Sequence, residues 1–170
     1  MVSSVNGKIT KGDNRHVRDW SSKEDAQLFT KLKEKNNLTV IGSKTYEAAR
    51  RNMRHRVGQL RIVLTTNPKK YRREQIAGQL EFTKEKPVDL VNRLEKKGHQ
   101  RLLLLGGGEI NALFFQANLV DELILTIEPK IFGRGKNLVE NTDFQAGLKL
   151  KKVERLNSSG SLRLFYEIIK

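Results

Sequence analysis

The chain has 170 residues, 37% of them hydrophobic and 31% charged, which suits a globular protein large enough to bury a core. It contains no cysteine, which excludes disulfide scaffolds and thiolate metal centres, and no apolar run reaches the ~20 residues that a bilayer-spanning helix needs. The net charge is +14, and ten Lys and Arg residues fall between Lys44 and Arg73 with one acid, Glu47, among them. Such a cluster predicts nucleic acid or a phosphorylated small molecule as partner, or else a solvated basic surface.

The opening residues, MVSSVNGKIT, lack the apolar stretch of a secretory signal, and a cytoplasmic protein is expected. Residues 2–5 read as the end of a strand. Residues 6–20, with two glycines and many charges, read as a long loop. Ser21 or Ser22 can cap a helix that carries Glu24 and Asp25 in its first turn and runs to about Lys35. Its Ala26, Leu28, Phe29 and Leu32 are expected to face inward. A short apolar strand at 38–41 ends at Gly42, and a helix follows at about 44–51. Residues 61–64 form a second short strand, with Thr65, Thr66, Asn67 and Pro68 as its turn. A short helix around 72–77 and a weak strand at 80–82 come next. Pro87 suits the first turn of a helix that reaches about Lys96 and is closed by Gly98.

Four consecutive leucines, Leu102 to Leu105, predict a strand buried on both faces. Gly106, Gly107 and Gly108 follow, and then a helix to Gln116 with Ile110, Leu113, Phe114 and Ala117 on one face. A strand that ends in glycines and opens a helix lets a ligand approach bare backbone. It also aims N–H groups at that ligand, which favours phosphate. A strand at 122–127 is bounded by Pro129. Two alternating segments at 148–156 and 161–169 flank the turn Asn157-Ser158-Ser159-Gly160. The charged loop 133–141 is expected to be mobile. His16, His55 and His99 stand far apart and predict no metal site. The order of elements implies an α/β fold in one domain over 1–170: a mixed, mostly parallel sheet with helices on both faces and an antiparallel C-terminal hairpin.

In open α/β sheets, ligands bind beyond the carboxyl ends of the parallel strands. Three predicted ends here carry phosphate-binding chemistry: Gly42-Ser43-Lys44-Thr45, Thr65-Thr66, and the glycine triplet. Glycine admits backbone, hydroxyls and N–H groups bind phosphate oxygens, and Lys supplies charge.

IGSKTYEAA resembles the corresponding segment of dihydrofolate reductases. LLLLGGGEINALFFQANLVDELILTIEPKIFGRG is very similar to the C-terminal half of the reductase domain of riboflavin biosynthesis, the partner of the deaminase in the bifunctional enzyme. SSVNGKIT resembles that domain's opening S-x-D-G-K motif, before which the first strand is expected to be short. The resemblance spans Ser4 to Tyr166. It implies a dihydrofolate-reductase-like fold, NADPH as hydride donor, a small heterocyclic substrate and often a homodimer, with no membrane or nucleic-acid partner. It places Gly42, Ser43, Lys44 and Thr45 on the cofactor's phosphates. Leu64, Thr65 and Thr66 fall near the adenosine 2′-phosphate, assisted by Lys69 or Lys70. Gly106, Gly107 and Gly108, with Glu109 and Ile110, lie against the pyrophosphate and nicotinamide.

On the substrate side the resemblance implies roles for Asn6 and Lys8. Asn6 stands where the motif has Asp and cannot act as a carboxylate base. That departure questions the riboflavin-pathway substrate and admits a member of decayed activity, and Asn6-Gly7 reads equally well as a tight turn. Asp25 lies at nearly the spacing from Gly42 of the acid that binds and helps protonate the pterin in dihydrofolate reductases. It reads also as a first-turn acid on the helix dipole. Trp20, beside Ser21 and Ser22, either closes the cleft or belongs to the core. Asp25 or Lys8 is the expected proton source, with loop 7–19 as a lid. Three readings follow: a riboflavin-type reductase, a dihydrofolate reductase, or a basic nucleic-acid module, the last without the aromatics such modules interleave.

Overall fold

The strands form where apolar residues run almost unbroken, and the helices between them supply the crossovers that parallel pairing requires. The computed structural model describes residues 1–14, 16–140 and 142–170; Arg15 and Asn141, which fall in the two predicted loops, lie outside the described residues. In chain order the elements are β1 (Val2–Ser4), α1 (Lys23–Lys35), β2 (Leu38–Gly42), α2 (Ser43–Ala49), β3 (Leu60–Leu64), β4 (Leu80–Thr83), α3 (Pro87–Lys96), β5 (Leu103–Gly106), α4 (Gly108–Gln116), β6 (Glu122–Glu128), β7 (Gly147–Arg155) and β8 (Leu162–Ile169). Among the described residues no helix is long and apolar enough to cross a membrane.

The strands form two four-stranded ladders. One is parallel throughout, in the order β4-β3-β2-β5. The other, β1-β6-β8-β7, pairs β1 parallel to β6 and the rest antiparallel. This is the α/β architecture, with the antiparallel end, that the order of elements implied.

Alternation along the parallel strands divides the core. Leu38, Val40, Ile62 and Leu64 point to one side, where they meet Leu90 and Leu94 of α3 and Phe114 of α4. Ile41 and Val63 point to the other, where they meet Tyr46, Tyr71, Leu80 and Phe82. There the Tyr71 ring stacks on Phe82 with centroids 4.6 Å apart, and Tyr46 meets both edge-on. Burying each such side chain contributes about 1.5–3 kcal/mol.

Four local expectations change. α1 is capped by Ser22, whose hydroxyl accepts from Asp25 N–H (3.3 Å), yet none of its side chains is buried and Phe29 is exposed. Its apolar stripe borders a cleft rather than the packed core. The leucines of 102–105 are only half-buried, because β5 is an edge strand bonded to β2 alone. Leu113 is exposed, while Ala112 and Phe114 carry the buried face of α4. The helix predicted at 72–77 is instead a 3₁₀ segment, Pro68–Glu74, started by the fixed φ of its proline.

Candidate active site

The register of the parallel strands brings three chain segments to one rim. Gly42, the last residue of β2, pairs with Leu64, the last of β3, and Ile41 pairs with Gly106, the last of β5. The segments leaving these ends, Ser43–Thr45, Thr65–Thr66 and Gly107–Ile110, all line a cleft of about 2160 Å³. α2 and α4 start here on Gly42 and Gly107, neither of which offers a capping side chain. Their first N–H groups are therefore available to a ligand.

Local contacts show why glycine and threonine stand at this rim. A Cβ on Gly42 would lie 2.7 Å from Ile110 Cγ1, so the glycine lets α4 seat against β2. Thr45 Oγ1 accepts from Gly107 N–H (3.0 Å), joining the first rim segment to the third. Gly106 has φ +79°, and a Cβ on Gly108 would collide with the carbonyl of Asn137. Lys44 pairs with Glu109 across the rim (Nζ to Oε1 2.5 Å), and both side chains are more than half exposed. The hydroxyl of Thr65 accepts from Asn67 N–H (3.2 Å).

Another part of the cleft lining is strongly cationic. Arg18, Lys33, Arg56 and Arg61 all line it, with His55, Arg51 and Arg54 beside them. Burial, then the charges of Arg61, Arg18 and Arg56, hold the Lys33 ammonium below its usual pKa. Burial and Arg61 do the same to His55, whose Nδ1 is buried without a partner, and burial lowers Arg61. Arg18, Lys33, Arg56 and Arg61 have no ion-pair partner among the described residues. Cations that depress one another's pKa and lack a counter-charge make a site for an anion. Elsewhere in the basic segment, Arg50 is neutralised by Glu74 and Lys70 by Glu47. Lys69 and Lys70 do not line the cleft, so the expectation that they assist a 2′-phosphate there is corrected.

Asp25 also lines the cleft. Burial raises its carboxyl above the usual aspartate range, and Glu128 adds to this. The Thr126 hydroxyl, the N-terminal amine and Arg163 pull the other way. Thr126 is fully buried, and its Oγ1 makes no hydrogen bond of ordinary geometry. Asp25 stands in the first turn of α1, as the dipole reading requires.

The other substrate-side residues lie elsewhere. Asn6 is consumed by structure: its Oδ1 accepts from Ser4 Oγ (2.8 Å) and Phe132 N–H (3.2 Å), and its Nδ2 donates to Phe132 O (2.8 Å). That is the turn reading. Lys8 Nζ donates to Asn137 Oδ1 (2.7 Å) and does not line the cleft. Trp20 is 4% exposed and packs edge-on against Phe132 (5.2 Å) beside Val2, which is the core reading. Ser22 faces Glu128 through its N–H, not the cleft. The cationic part was not assigned from sequence. Its signal was the charge count of 44–73, but the convergence of Lys33 on Arg56 and Arg61 is set by the fold.

A family model described as the RibD C-terminal domain matches residues 1–160. The structure superposes with a TM-score of 0.80 on a Shewanella sp. PV-4 protein described as a candidate riboflavin biosynthesis protein, at 20% identity, covering 100% of this chain and 97% of that one. A pyrimidine reductase-like protein from Corynebacterium diphtheriae gives 0.77 at 17% identity, covering 99% and 90%. The deaminase/5-amino-6-(5-phosphoribosylamino)uracil reductase of Thermotoga maritima gives 0.72 at 13%, covering 98% of this chain and 54% of that one. At these identities the likeness is one of fold. In sequence, the chain is 32% identical over 92 residues to the uncharacterized protein YyaP of Bacillus subtilis, a match over 54% of this chain and about half (48%) of that protein. On the match over nearly its whole length, the chain belongs to the RibD C-terminal domain family.

Proposed function

We propose that this protein is an NADPH-dependent reductase of the riboflavin-biosynthesis type, acting on a small heterocycle that carries an anionic group such as a ribosyl phosphate. The observation that carries this reading is the shared rim at the ends of β2, β3 and β5, in a cleft whose lining also carries two kinds of group. One is the rim's hydroxyls, glycines and helix N–H groups; the other is a cluster of unneutralised cations.

The donor set at the rim fits a phosphorylated dinucleotide. Ser43, Thr45, Thr65 and Thr66 offer hydroxyls, Lys44 offers charge, and the first N–H groups of α4 are uncapped. When bound, NADPH supplies the hydride. The protein's own residues bind, orient and hold protons. Arg18, Lys33, Arg56 and Arg61 would hold the substrate's anion and so fix the distance of its ring from the rim, which is where orientation accelerates the reaction. Asp25, kept protonated to a higher pH than an exposed aspartate, would deliver the proton.

The buried Asp25 beside Thr126 also favours a second reading, a pteridine substrate held by that acid. Following NADPH oxidation with a phosphoribosylaminopyrimidine and with dihydrofolate distinguishes the two. The first reading predicts turnover of the phosphorylated pyrimidine that methotrexate leaves unaffected; turnover of dihydrofolate alone would overturn it. The nucleic-acid reading finds no support in the sequence, which lacks the aromatics such modules interleave on a strand pair. A homodimer accords with the family resemblance, and the outer strand β7 offers a surface for it in Leu148, Leu150 and Val153, each exposed. Sedimentation velocity reporting only monomer would remove the dimer from this proposal.

A further inference from the structure

Glu128, the last residue of β6, is 3% exposed, an uncommon place for an acid. Both carboxylate oxygens are engaged. Oε1 accepts from the backbone N–H of Ser22 (2.7 Å), the cap of α1, and Oε2 accepts from the Ser161 hydroxyl (2.5 Å) just before β8. No cation pairs with it among the described residues. An apolar residue would fill the same space without the desolvation penalty of a carboxyl group. What the carboxylate adds is direction: it ties two donors from distant parts of the chain to one point.

The tie sits in a wider grip on the same turn. Lys130 Nζ donates to Trp20 O (2.6 Å), Asn157 Nδ2 to the Glu24 carboxylate (3.2 Å), and the Arg163 guanidinium to Glu24 O (3.1 Å). Asn157 also donates to Ser161 Oγ (3.2 Å), so the hairpin turn and Glu128 act on α1 together. Beyond this first turn α1 buries no side chain, and its far end is held by Gln59 Nε2 donating to Lys33 O (3.3 Å). Packing therefore does not fix the helix; the grip on residues 20–24 does. Asp25 is the next residue, and Lys33 lies two turns further along the same wall of the cleft.

We propose that Glu128 is a positioning residue: by tying the cap of α1 to the β6–β8 sheet, it sets where Asp25 stands over the cleft. This rests on the reading of Asp25 as the proton source. The charged groups facing Asp25 are Glu128, Arg163 and the N-terminal amine.

The test is hydrogen–deuterium exchange across α1, with a ¹³C-NMR titration of the Asp25 carboxyl, in wild type, Glu128→Ala and Glu128→Gln. In E128A the amides of α1 should exchange about tenfold faster while those of β2 and β3 are unchanged. In E128Q the amide oxygen still accepts from Ser22 and the NH₂ can donate to Ser161, so exchange should stay within about threefold of wild type. Asp25 should titrate lower in E128Q, because a like charge has gone. With substrate, E128A should lose about 30-fold in kcat at constant KM for NADPH, and E128Q should recover most of that. Equal exchange in E128A and wild type, or damage in E128Q as large as in E128A, would overturn the proposal. Should E128A not fold, Ser161→Ala removes one of the two ties, and unchanged α1 exchange there would overturn it equally. Exchange and titration need no substrate, so a wild type that oxidises no NADPH would sink the reductase reading alone.

Discussion

Asp25 is where position turns an ordinary residue into a candidate acid. Its carboxyl titrates above the ordinary aspartate value of 3.8, chiefly through burial. Between that value and the raised one, the folded protein keeps a proton that the unfolded chain has released, so stability falls as pH rises through the window. Asp25→Asn removes the effect. Scanning fluorimetry from about pH 3.5 to 8 should show wild type losing Tm relative to D25N across that window, and D25N should lose about 100-fold in kcat without a change in KM for the cofactor. In the cationic part of the lining, Arg56→Ala should raise KM for a phosphorylated substrate about 10- to 100-fold and leave that for NADPH unchanged, as steady-state kinetics will show. The place of Asp25 in the first turn of α1 was legible because the cap at Ser22 is local. Lys33 was not, because it meets Arg56 and Arg61 only after α1 folds back along the cleft. Trp20 and Asn6 could not be settled from sequence either, since each has two good uses and the choice depends on Phe132, more than a hundred residues away.

Among the elements, β2, β3 and α3 were readable because apolar patterning and burial agree in them. α1 shows where that signal misleads: an amphipathic stripe marks a face turned away from water, but a cleft wall and a core produce the same stripe. The four leucines before the glycines fail similarly, since an edge strand beside a cleft needs apolar residues as a central strand does. The junction of β2 with α4 gives a sharper test of packing. Gly42→Ala would place a methyl 2.7 Å from Ile110 Cγ1. The substitution should destabilise by about 1–3 kcal/mol in urea melts through overpacking. The double variant G42A/I110A should be more stable than the sum of the single changes predicts, because removing the Ile110 side chain clears the space. Additive effects would mean that the contact does not fix the seating of α4.

For the molecule as a whole, the division into two ladders matters most. The parallel ladder presents its strand ends as a rim, the mixed ladder carries Glu128, Thr126 and the hairpin that grips α1, and the cleft lies where both can reach a bound molecule. Within the basic segment 44–73, Lys44, Arg50 and Lys70 are paired with acids, while Arg56 and Arg61 lie with Lys33 and Arg18 in the lining of the cleft. The central claim is that the rim of three strand ends holds a phosphorylated dinucleotide. Titrating NADPH into ¹⁵N-labelled protein tests it most directly. The account predicts saturable shifts at the amides of Ser43, Thr45, Thr65, Thr66 and Gly107 to Ile110, with weaker binding of NADH. Shifts that never saturate, or that map away from those residues, would contradict it.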